Sequence, residues 1–253
     1  MGSHLAVLAA GDGSQRGHRT LAEKAFDTLH TAIITGQLRP GARLPIEELA
    51  ALLEMSPMPI REAVRRLDAA GLVENIPHRG ARVTELSVRD LSEAYEARLA
   101  LEVLAIRRAA ARFSVPQAAE AHRHLALLEQ YADEVSAAAS EAHTRFHFAL
   151  YEAADSAWLL RLILPVWETS ERYCLELPDV RRLAQRKAEH EEILAACEAH
   201  DADRAATALH DHLVTTANSL AGAMGGEPAF DPPATGPART AMARTAPPRR
   251  PGT

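Results

Sequence analysis

Residues 87–221 hold six consecutive segments with apolar side chains at helical spacing and no run that reads as a strand. The spacing predicts helices over 87–112, 116–135, 138–154, 157–175, 180–199 and 202–221, separated by Pro116, Ser156, Leu177-Pro178 and Asp201. Alanine, leucine and glutamate dominate them, so helix propensity and apolar period point the same way. Helices without a sheet can bury their apolar stripes only against one another, which predicts an antiparallel bundle.

Residues 18–86 follow a different pattern. Leu21, Ala25, Leu29, Ala32 and Ile33 mark a helix over 20–36 closed by Gly36, and Leu49, Leu52 and Leu53 mark a short one over 46–53. Ser56 stands as an N-cap before Pro57, and the helix it opens runs through Ile60, Ala63, Val64 and Leu67 to Gly71. LVENI, a Pro77-His78-Arg79-Gly80 turn and ARVTEL then predict a two-stranded hairpin. Three helices and a hairpin in this order are the plan of a winged helix-turn-helix. The expected fold class is therefore mainly α: an N-terminal winged helix-turn-helix (18–86) followed by an all-helical antiparallel bundle (87–222). The ends, 1–17 and 223–253, are Pro/Gly/Ala-rich without apolar period and are expected to lack order.

The net charge of −6 argues at first against a nucleic-acid partner. Its distribution removes the objection: residues 87–222 hold 14 basic and 22 acidic side chains, whereas residues 18–86 hold nine of each. In a helix-turn-helix the second helix enters the major groove. Arg61 and Arg65, one turn apart on that helix, can both face the groove while Ile60, Val64 and Leu67 pack inward. An arginine fork matches O6 and N7 of guanine. Arg66 is placed for a phosphate, and Arg79-Gly80 at the hairpin tip for backbone or minor groove; Glu62 and Asp68 lie near enough to balance these charges. Two cysteines are too few for a disulfide framework, and no apolar run approaches a membrane span. A cytoplasmic location is expected.

The stretch RLPIEELAALLEMSPMPIREAVRRLDAAGLVENIPHRGARV resembles the DNA-binding domain of GntR-type regulators, through Leu44, Pro45, Leu49, Ala50, Ser56, Pro59, Arg61, Glu62, Ala63, Leu67, Gly71, Leu72, Val73, Arg79, Gly80 and Val83. The resemblance implies operator DNA as partner; taken with the helix geometry, the expected DNA-binding residues are Ser56, Arg61, Arg65, Arg66, Arg79 and Gly80. Pro57-Met58 stand where the family usually has Arg-Thr, so the operator sequence does not carry over.

Eight of the twelve histidines lie between residues 122 and 212. His143 and His147 form an H-x3-H pair on one helical face, a spacing that can share a metal ion and equally suits two structural histidines. Residues 91–221 resemble the helical FCD effector domain of the FadR branch, through Arg98-Leu99-Ala100-Leu101-Glu102, His143 to His147, Glu189-His190-Glu191-Glu192-Ile193, His200-Asp201 and His212-Leu213. The resemblance implies a metal site of His143, His147, His190 and His212, with His143 where relatives usually have Asp. Four neutral imidazoles favour a divalent transition metal, Zn or Ni, over Mg or Ca, and leave its +2 charge undiminished to draw an anion. A small organic acid is the expected effector, with Arg98 as its bidentate clamp. Arg172 and Tyr173 are weaker candidates, expected on the helix surface, and His122, His124, His200 and His210 are expected to be exposed.

The expected function is a homodimeric transcriptional regulator, a repressor relieved by effector, acting on a two-fold operator and not an enzyme. The competing readings are a metal-free sensor of an acyl-CoA or other bulky ligand, and a helical metalloenzyme. The second is disfavoured because no general base of the H-E-x-x-H kind stands beside the histidines.

Overall fold

The computed structural model describes residues 20–76, 79–131, 137–177 and 183–233. Two apolar cores divide it. The first gathers α1 (Leu21–Ile34), α2 (Ile46–Leu52) and α3 (Pro57–Ala69) over a small sheet. That sheet has three strands rather than the expected two. Strand β1 (Arg43–Leu44) joins β3 (Gly80–Val83) on the side opposite β2 (Val73–Ile76), giving the order β1-β3-β2, all antiparallel. A two-residue strand leaves too short an alternation to be read from sequence. Gly80 pairs with Ile76 at φ +81°, a conformation that favours glycine. Pro77 and His78 of the expected turn lie outside the described residues.

The second core is the bundle: α4 (Val88–Ala110), α5 (Val115–Gln130), α6 (Ala137–Glu152), α7 (Ala157–Glu176), α8 (Leu183–Glu198) and α9 (Ala202–Ala223). Helix starts follow the expected punctuation. Ser87, Ser156 and Asp201 cap the amides of Asp90, Leu159 and Arg204. Ser56 precedes α3 as expected but makes no side-chain cap bond. The third helical residue is Pro59, so an amide that a serine cap normally engages does not exist.

Two expectations about the ends meet different fates. Residues 1–17 and 234–253 lie outside the described residues. Residues 224–233, grouped with the tail for their glycines and prolines, run back along the bundle instead. Met224, Ala229 and Phe230 pack on its core, and the Asn218 amide both accepts from Phe230 N and donates to Phe230 O, each at 3.0 Å. One aromatic and one well-placed amide suffice to hold a segment whose composition gives no period.

The cores meet through polar contacts carried by α7. His30 of α1 bonds Glu168 at 3.0 Å, and Arg172 donates to the Thr84 carbonyl at 2.6 Å. The Tyr173 hydroxyl donates to Asp90 at 2.7 Å and accepts from the Ser87 amide at 3.2 Å. Among the described residues no helix is long and apolar enough to cross a membrane.

Candidate metal centre and DNA-reading face

Helices α6, α8 and α9 bring His143, His147, His190 and His212 together, with one ring nitrogen of each within 4.8 Å of all the others. Three are buried and His143 nearly so. The rings share their surroundings with Phe146 and Trp167. Each hydrogen bond at the outer nitrogens fixes a tautomer. His212 Nδ1 donates to Glu189 Oε2 at 2.8 Å, and His143 Nδ1 to Glu171 Oε1 at 3.3 Å. The Tyr151 hydroxyl gives its hydrogen to Glu102 at 2.6 Å, so it accepts from His147 Nδ1 at 3.2 Å. Three imidazoles therefore aim the lone pair of Nε2 inward. His147 is held well below the ordinary histidine range by burial, reinforced by the three other rings, and stays neutral.

This donor set fits a transition metal. At a Zn–N length of about 2.0–2.1 Å, adjacent donors stand roughly 2.9–3.4 Å apart, and His147 Nε2 lies 3.3 Å from His190 Nε2. Exchanging an oxygen donor for a fourth imidazole moves the preference from hard to borderline ions.

Two carboxylates back the cluster and bear on the +2 charge expected of a bound ion. Glu171 is buried, and although burial pushes its carboxyl pKa up, His143 and the Ser140 hydroxyl more than offset this and hold it lowered. With Glu189 on His212, two carboxylates stand one residue back from the ring nitrogens. Neither was found from sequence. Glu171 comes from α7 with no local signal, and Glu189 adjoins His190 yet serves His212. Tyr151 was not singled out either, although 143, 147 and 151 lie on one helical face, a signal that could have found it.

Arg98 differs from the expected free clamp. Its Nε and Nη2 donate to Glu102 at 2.6 and 3.1 Å, and its Nη1 to Ser170 at 2.9 Å. Its guanidinium also stacks on Tyr95 and Trp167. The side-on edge of the fork is thus committed to a buried ion pair. Arg172 and Tyr173 are buried at the domain junction, neither on the surface nor among the histidines. His122, His200 and His210 are exposed, but His124 is buried beside Glu120 at 2.7 Å.

On α3, Met58, Arg61 and Arg65 share the exposed face, with Ile60, Ala63, Val64 and Leu67 beneath. Ser56, Arg79 and Gly80 are exposed as well. Arg66 lies over the Phe26 ring at 4.1 Å, so it also pins α3 to α1. Asp68 accepts from Asn75 at 3.2 Å rather than balancing an arginine.

A winged helix-turn-helix joined to a helical domain with a buried four-histidine cluster defines a class, the effector-responsive DNA-binding regulators. The comparisons with known proteins narrow it. Residues 21–83 match the profile of bacterial regulatory proteins, gntR family, and residues 93–215 that of the FCD domain. The chain is 34% identical to the HTH-type transcriptional regulator BphR of Paraburkholderia xenovorans, covering 77% of this chain and 83% of that protein. It is 27% identical to the HTH-type transcriptional repressor GlaR of Escherichia coli, covering 78% and 94%. The structure of E. coli McbR/YncC superposes with a TM-score of 0.69 at 25% identity, over 80% of this chain and 97% of that one. This chain belongs to the GntR family of bacterial transcriptional regulators, with an FCD domain as its C-terminal half, and is a DNA-binding regulator rather than an enzyme.

The Arg98–Glu102 pair generates one prediction. Arg98→Met strands a buried carboxylate and should cost about 3–5 kcal/mol in denaturant unfolding. Combining it with Glu102→Gln should recover part of that loss, because no charge is then left alone.

Proposed function

We propose that the chain is a homodimeric, cytoplasmic repressor that holds one Zn or Ni ion on His143, His147, His190 and His212 and responds there to a small carboxylate effector. The carrying observation is the four ring nitrogens within 4.8 Å, three of them aimed inward by Glu171, Glu189 and Tyr151. An ion held by these four rings would supply Lewis acidity toward a carboxylate oxygen of the effector. Glu171 and Glu189 behind the rings would offset part of its charge, so coordination rather than net field would select the ligand. Arg98 contributes the N–H groups that Glu102 and Ser170 do not take. Its pair with Glu102 continues through Tyr151 to His147, so a contact at Arg98 is felt at a metal-binding ring.

Operator contact falls to Ser56, Arg61, Arg65, Arg66, Arg79 and Gly80 in each of two subunits, one half-site apiece. Trp158 and Leu162, one turn apart on α7, leave large apolar side chains exposed on one helical face, which suits a contact with the second subunit. The signal passes along α7. Ser170 and Glu171 face the centre while Arg172 and Tyr173, the next two residues, hold the junction before α4. An effector acts by favouring one arrangement of that junction.

Elemental analysis of protein purified without a histidine tag should find about one Zn or Ni per chain, lost in His147→Ala and accompanied by a lower melting temperature on chelation. No metal, and no thermal response to chelator, would end this reading. Tyr173→Phe should keep the metal but bring operator affinities measured with and without effector toward equality in a gel shift on the gene's own upstream DNA. Unchanged coupling would move the signal away from α7.

A further inference from the structure

The two arginines on the outer face of α3 are held differently. Arg61 makes one contact to Glu47 of α2, Nη2 to Oε1 at 3.2 Å, with both side chains largely in solvent. Arg65 is gripped along a whole edge: Nε donates to Glu62 Oε2 at 3.0 Å and Nη2 to Glu62 Oε1 at 2.7 Å. These bonds, with the attraction of the two charges, lower the Glu62 pKa and raise that of Arg65, so both stay ionised.

The geometry decides what Arg65 has left to offer. A guanidinium carries five N–H groups in a plane, and Glu62 takes one on Nε and one on Nη2. Both hydrogens of Nη1 and one of Nη2 remain. They include the end-on pair, two parallel donors spaced for O6 and N7 of one guanine. An exposed ion pair adds little to stability; what it changes is orientation. A long side chain already held in one rotamer loses less freedom when it docks.

We propose that Glu62 is a specificity-determining positioning residue of the DNA-reading helix. It holds the Nε edge of Arg65 so that the end-on edge meets a single guanine. It also places a fixed anion beside the groove, which weakens contact with phosphates and with any duplex that does not offer that guanine. Non-specific affinity is sacrificed for discrimination, in keeping with a DNA-binding domain whose nine basic and nine acidic residues cancel. The inference rests on reading α3 as the helix that enters the groove.

The test uses the full-length protein and a duplex it selects from a random-sequence pool. Affinities for that duplex, its single-base-pair replacements and a scrambled duplex are measured at one salt concentration. Arg65→Ala should erase the preference at one G·C pair. Glu62→Gln should reduce the preference at that same pair by about tenfold, leave the other positions within about twofold, and tighten binding to the scrambled duplex. If Glu62→Gln tightens binding to every duplex alike with the preference intact, Glu62 is only a neutralising charge and the proposal falls. If Arg65→Ala leaves all preferences unchanged, the reading of α3 fails first and the proposal with it.

Discussion

Burying a guanidinium and a carboxylate costs several kcal/mol each unless they meet in good geometry with their remaining hydrogen-bonding groups satisfied. Arg98 and Glu102 meet that condition: a two-point contact one turn apart on α4, closed by Ser170 of α7 and Tyr151 of α6 and sealed by the Tyr95 and Trp167 rings. Three helices are thereby fixed in register around one polar knot. Its last bond, Tyr151 to His147, sets the tautomer of a ring in the histidine cluster. The centre thus depends on a pair that lies outside the ring cluster itself.

Helix α7 carries this order outward. Its inner face supplies Ser170, Glu171 and the floor formed by Trp167; its outer face supplies Glu168 and Arg172 to the DNA-binding domain and Tyr173 to the start of α4 just beyond it. Each domain has its own apolar core, so the bonds between them are polar and directional. Such bonds exchange partners over small displacements, whereas a shared apolar core would resist any change. A junction of this kind lets a regulator fold as two stable units and still couple them.

Much of this was legible in the sequence for identifiable reasons. Helix positions followed from a long, regular apolar period with single-residue punctuation, and the histidine set from a resemblance that reached into five separate segments. What escaped were features created by tertiary contact. Glu171 carries no local mark of its role, since it reaches His143 from a helix 28 residues away in sequence. Strand β1 is two residues long, and Phe230 is held by an asparagine twelve residues earlier. Arg98 was read by its chemistry as a clamp, but its neighbour one turn on had already taken the fork. His124 was expected to be exposed, yet lies on the inner face of α5.

Four clustered imidazoles, three of them oriented by carboxylates and a tyrosine behind them, are proposed to form one transition-metal site. X-ray absorption spectroscopy of the zinc-loaded, full-length protein tests it directly. Such a site should give a first shell with four imidazole nitrogens at about 2.0–2.1 Å and outer-ring scattering that falls by one imidazole in His143→Ala. A shell dominated by water or carboxylate oxygens, unchanged by that substitution, would contradict it.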